Sequence, residues 1–180
     1  MSENVSVENQ RELCRVPWRK DEYARDVGRL LPTILESIFN ELGFDAYANP
    51  IQTNGVDLEV YFRSKLILVA EILNWSISSR LYNKRKLGII GNLNEFNCKR
   101  LLIHTVPLPK LNVVRDAGID ILEIGYQVLP EEYYKIQLAR GQVIRRRIDC
   151  DSTRGEIKSK ILDYINNHLF AHKYLKFLMT

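Results

Sequence analysis

A chain of 180 residues suits one domain with a sizeable buried core. Hydrophobic residues at 46% and charged residues at 27% describe an ordinary globular composition, which excludes a low-complexity or fibrous chain. The net charge of +4 is too mild to mark a nucleic-acid binder by itself, so the local clusters Lys84-Arg85-Lys86 and Arg145-Arg146-Arg147 carry more information.

In chain order, residues 1–20 read as a polar arm without apolar periodicity. From Asp21 to Leu42 the residues Leu30, Leu31, Ile34, Leu35, Ile38, Phe39 and Leu42 recur at three- and four-residue steps, which predicts an amphipathic helix. Pro32 is expected to kink or split it, and Gly43 to cap it. A short extended piece, 44–51, leads through turn chemistry at Gln52-Thr53-Asn54-Gly55 to strands at about 56–62 and 66–74. A helix is expected from Ser78 to about Phe96, loosened at Gly88 and Gly91. "KRLLIHTVP" reads as a buried strand, "LNVVRDAG" as a short helix capped by Gly118, and "IDILEIG" as another strand. Strands separated by helices predict an α/β domain whose partly parallel sheet has helices on both faces.

After Pro130 the composition shifts. "PEEYYKIQLARG" is helical, "QVIRRRIDCDS" is a loop or edge strand, and 154–179 is a long amphipathic helix striped by Ile157, Ile161, Ile165 and Leu169. The expected division is an arm (1–20), an α/β core (21–129) and a helical extension (130–180) packed on the core or used in a homodimer.

Cys14, Cys98 and Cys150 are too few and too scattered for a disulfide framework, and no CxxC pair suggests zinc. No apolar run approaches the roughly 20 residues of a membrane span. "MSENVSVENQ" is too polar and acidic for a secretory signal, so the expectation is an intracellular, cytoplasmic protein without a membrane partner.

The stretch "GVDLEVYFRSKLILVAEILNW" sets Asp57, Glu59 and Glu71 on neighbouring strands. Alternation sends Asp57 and Glu59 to one face and Val56, Leu58 and Val60 to the other. Carboxylates left in an apolar sheet cost several kcal/mol unless a cation meets them. Hard oxygen ligands converging from strand ends suit Mg²⁺ or Mn²⁺; the plainer reading is a half-exposed hairpin with all three acids in solvent.

On "NGVD" (54–57) and "AEILN" (70–74), within the element order of 21–125, the chain resembles the PD-(D/E)XK nuclease superfamily. The resemblance implies a restriction-endonuclease-like core and metal-dependent hydrolysis of DNA. It implies Asp57 and Glu71 as metal ligands, and it places the family's catalytic lysine position on Leu73. Asn74, Lys84 or Lys86 are the candidate substitutes, and Glu36 is the candidate helix glutamate of the site, against an exposed helix-face charge. Arg80, Lys84, Arg85 and Lys86, with Arg145, Arg146 and Arg147, are candidate contacts to the nucleic-acid backbone. The alternatives are a catalytically silent scaffold that binds nucleic acid or protein, and an oligomeric interaction protein assembled through 154–179. His104 reads as a core residue, and His168 with His172 as a weaker metal pair.

Overall fold

The computed structural model describes residues 20–48, 55–76, 79–139 and 144–169. The expected arm up to residue 19, the turn residues 52–54, the helix start at Ser78, His172 and the expected helix beyond Leu169 lie outside them.

Helix α1, Lys20–Glu41, runs unbroken through Pro32. The expected kink is overridden because Leu31, Leu35, Ile38 and Phe39 are all fully buried, and their packing on the sheet holds both halves in line. The helix ends in a Schellman motif: Phe44 N–H donates to the Phe39 carbonyl and Gly43 N–H to that of Asn40, with Gly43 at φ +92°. Phe39 and Phe44 then meet edge to face at 5.9 Å, the apolar contact that accompanies this cap.

Strands β1 (Asp45–Ala48), β2 (Leu58–Phe62) and β3 (Lys65–Leu73) form an antiparallel meander. Arg63 and Ser64, both at positive φ, make the tight turn between β2 and β3, matching the right-handed twist of the hairpin. Helix α2 (Asn83–Asn94) crosses to β4 (Lys99–His104), and α3 (Asn112–Asp116) to β5 (Asp120–Glu123). The sheet order is β1-β2-β3-β4-β5, with β3, β4 and β5 mutually parallel. Helix α2 starts later than expected but passes Gly88 and Gly91 without a break, since Ile89 and Leu93 are completely buried.

The protein is therefore α/β, a five-stranded mixed sheet covered by helices on both faces, as its element order predicts. Strand β3 alternates between two cores. Leu68, Ala70 and Ile72 join α1; Val69 and Leu73 join Ile89 and Leu93 of α2, and Glu71 shares their parity. Val56 falls into the α2-side core, on the opposite side from Leu58 and Val60, because regular strand pairing starts only at Leu58.

Beyond β5, strand β6 (Gln127–Leu129) pairs in parallel with β7 (Arg145–Arg147) around helix α4 (Glu131–Ala139). Helix α5 (Asp151–Tyr164) continues into a π-helical turn, Ile165–Leu169. Its stripe of Ile157, Ile161, Ile165 and Leu169 is buried in the α1-side core. Arg154 and Lys158 add ion pairs to Glu41 of α1 at 2.9 and 3.2 Å. Among the described residues no helix is long and apolar enough to cross a membrane.

Candidate functional site

The chain enters β2 through Gly55, whose φ of +90° turns the backbone so that Asp57 arrives beside β3. Asp57 N–H donates to the Ala70 carbonyl at 3.0 Å, and Asp57 Oδ2 accepts the Ile72 N–H at 2.7 Å. One carboxylate oxygen of Asp57 is thus seated on the backbone flanking Glu71.

Glu71 is only 1% exposed. Its parity on β3 aims it at α2, where two side chains meet it. Arg85 Nη2 donates to Oε2 at 3.3 Å, and Asn92 Nδ2 donates to Oε1 at 3.1 Å. Asn92 also reaches the Gly55 carbonyl at 3.2 Å, which ties the entry turn to the acid. Arg85 and Asn92 lie seven positions apart, close to two helical turns, so one side of α2 presents both. Asn92 is not among the residues that the sequence motifs single out; its signal is that spacing, on an otherwise apolar helix face.

Burial, and then the charge of Asp57, push the Glu71 carboxyl up to about 7, against the opposing pull of Asn92 and Arg85. Asp57 is raised too, by burial, with the Ile72 N–H and Arg85 holding it back. Glu71 therefore senses the charge of Asp57 across the hairpin.

A pH dependence follows. The folded protein binds the Glu71 proton more tightly than the unfolded chain does. The stability this contributes is fully present below about 4.5, the ordinary value, and is lost as pH rises through about 7. Metal-free protein is expected to lose on the order of 3 kcal/mol across that window, with Asp57 adding a slope of the same sign. Denaturant midpoints measured across the window check this, and Glu71→Gln should flatten the curve. A stability that rises with pH there contradicts the electrostatics of the site.

Gly55 permits a second test. A Cβ added there would lie 2.9 Å from Asn92 Nδ2, at a φ that side chains rarely adopt. Gly55→Ala is expected to cost about 2 kcal/mol in chemical denaturation. Part should return in the double variant with Asn92→Ala, where the collision is gone but the backbone strain remains.

Lys86, on the inner face of α2, is 5% exposed, and among the described residues its ammonium forms no ion pair. Lys84 and Arg80 are exposed. Leu73 is 2% exposed and packs with Ile89 and Leu93, so the position expected to hold a lysine is filled by core.

Several expected members are elsewhere. Asn74 has the opposite parity to Glu71, and its amide is consumed by the fold. Nδ2 donates to the Val27 and Val128 carbonyls at 3.0 and 2.7 Å, and Oδ1 accepts the Val128 N–H at 2.9 Å. It is an anchor for α1 and β6, not a group for water or phosphate. Glu36 accepts the Ala48 N–H through Oε2, so it secures β1 to α1. Glu59 is buried, not solvent-facing, and accepts the Tyr61 hydroxyl at 3.1 Å.

The arginine triplet forms β7 and is engaged within the fold. Arg145 donates to Gln127 and Gln137, and Arg146 pairs with Glu156 at 2.6 Å while lying 4.3 Å over the Tyr126 ring. Arg147 pairs with Asp149 and Glu131. Each arginine thus has acidic or amide partners within the fold, while the side chains of Arg146 and Arg147 stay partly exposed, at 43% and 39%. His104 is a core residue as expected, its Nδ1–H donating to the Val106 carbonyl, and His168 stacks on Tyr164.

Fold and site together define an α/β protein with a buried Glu71 and a half-buried Asp57 near the C-terminal end of the central strand, beside a basic helix. No family model and no curated protein matches the chain. Among solved structures, that of a protein of unknown function, AF1548, aligns with a TM-score of 0.41 at 12% identity, over 63% of this chain and 67% of its own.

Proposed function

We propose that the protein is a divalent-metal-dependent DNA endonuclease of the PD-(D/E)XK type, acting in the cytoplasm, with Asp57 and Glu71 as the metal ligands. The observation that carries this reading is the pairing of two mutually repelling carboxylates at one strand end, with Glu71 almost fully buried against α2.

The donor set fits Mg²⁺ or Mn²⁺. Asp57 commits Oδ2 to one N–H, and each Glu71 oxygen accepts one further donor, so lone pairs remain on both acids. Among the described residues no third His, Cys, Asp or Glu joins them. A small hard ion that keeps several of its waters needs no third side chain. Such an ion supplies charge neutralisation and a more acidic bound water.

The remaining work falls to this chain. Asn92 and the Ile72 N–H hold the two acids in place. Lys86 supplies positive charge from within α2 in place of the lysine that Leu73 replaces, favouring the charge that develops on a phosphate. Arg80, exposed just before α2, and Lys84, exposed in its first turn, bind the nucleic-acid backbone without reading sequence.

A specific observation favours a second reading, a silent nucleic-acid-binding or protein-binding scaffold. Arg85 and Asn92 already occupy both Glu71 oxygens, which is how a buried acid is satisfied without a metal. Incubation of purified protein with linear, flap and four-way-junction DNAs, with Mg²⁺, with Mn²⁺ and with neither, separates the two. Cleavage only with metal supports the nuclease. Binding without cleavage under every condition supports the scaffold.

A further inference from the structure

We infer that Arg85 and a divalent cation are alternative occupants of Glu71, so that Arg85 is an internal plug that metal displaces toward the nucleic-acid phosphate. This rests on the proposed metal site and adds its regulation.

The two halves of the contact are unequal. The Glu71 side chain is 2% exposed and is fixed from the other side by Asn92, whereas the Arg85 side chain is 47% exposed. The acceptor is enclosed, and the donor borders water. The contact is also loose: 3.3 Å exceeds the roughly 2.7–2.9 Å of a close guanidinium–carboxylate bond. Only Glu71 Oε2 receives the guanidinium, so the pair lacks the two-pronged geometry that makes arginine–carboxylate contacts strong. Arg85 is anchored by its backbone in the first turn of α2, where its N–H donates to the Tyr82 carbonyl at 3.0 Å. A released guanidinium therefore stays tethered close to Glu71, on the same helix as the exposed Lys84. Cation and guanidinium repel each other at short range, so both cannot sit on the same oxygen at full strength.

The consequence is a pair of opposite signs that a purely structural arginine does not produce. Arg85→Gln is expected to bind Mn²⁺ about fivefold tighter by titration calorimetry, the scale of one partly screened ion pair. The same variant should bind junction DNA more weakly in Ca²⁺, read by fluorescence anisotropy, with a shallower salt dependence. Arg85→Lys, which keeps the charge, should stay near wild type on the metal measurement, and circular dichroism verifies that both variants are folded. Wild-type protein that binds Mn²⁺ while Arg85→Gln binds it equally or less tightly overturns the plug and leaves the metal site standing. Wild-type protein that binds no Mn²⁺ overturns the metal site, and the plug with it.

Discussion

Glu71→Gln and Asp57→Asn should each lower metal-dependent DNA cleavage by about a thousandfold or more, because each removes half of the charged oxygen set that holds the cation. Neither exchange should unfold the protein. Glutamine at 71 keeps a carbonyl oxygen for one of the two donors, Asn92 or Arg85, and sets its amide against the other, while the burial and Asp57 repulsion that disfavour the charged acid disappear. The lost acceptor and the relieved repulsion act in opposite directions, so at neutral pH the metal-free Glu71→Gln protein is expected to melt close to wild type. Initial cleavage rates and thermal melts on the same preparations check both halves. A double variant should be little worse than either single one, since the two acids act as a unit. Full activity in both single variants would place the chemistry elsewhere.

Replacement of Lys86 by Met should slow turnover by about a hundredfold, the scale of losing one preorganised charge at a reacting phosphate. Lys84→Met should leave turnover nearly unchanged and weaken DNA binding, with a salt slope reduced by about one. Two positions on a helix turn a side chain by about 200°, and burial indicates which lysine points inward: Lys86 is 5% exposed and Lys84 lies on the surface. Lys86→Met is also expected to raise melting slightly, because among the described residues the buried ammonium has no ion-pair partner. Single-turnover kinetics separates chemistry from binding here. Equal small losses at both positions would eliminate Lys86 as the substitute cation and leave the metal ion unaided.

How much of this was legible in the sequence depends on the range of the interactions. Helix α1, the β2–β3 hairpin and the parallel strands that follow are encoded locally, in apolar period, in the Arg63-Ser64 turn and in glycine caps. The proximity of Asp57 to Glu71 is legible for the same reason, since a hairpin leaves little freedom in what faces what. Asn74 was misread because its partners, Val27 and Val128, lie far away in the chain, and a strand-end asparagine looks the same whether it serves a site or the fold. The partners of the arginine triplet are hidden in the sequence for a similar reason: Glu131, Asp149 and Glu156 meet it only once β7 is placed. Arg85 is expected among DNA contacts, and its touch on Glu71 depends on how α2 packs against β3, which the helix sequence alone does not specify.

The Asn74 anchor has a consequence for modularity. The strand that carries Glu71 ends in an amide whose partners belong to α1 and β6, and β6 in turn carries β7. Its own carbonyl accepts from Gln127, which Arg145 also grips. A cut at residue 130, where the composition changes, would sever a continuous chain of hydrogen bonds that begins three residues from the acid. The segment beyond it is therefore no detachable accessory. A fragment ending at residue 130 is expected to be less stable than the full chain, and the two regions have a physical reason to melt in one cooperative step.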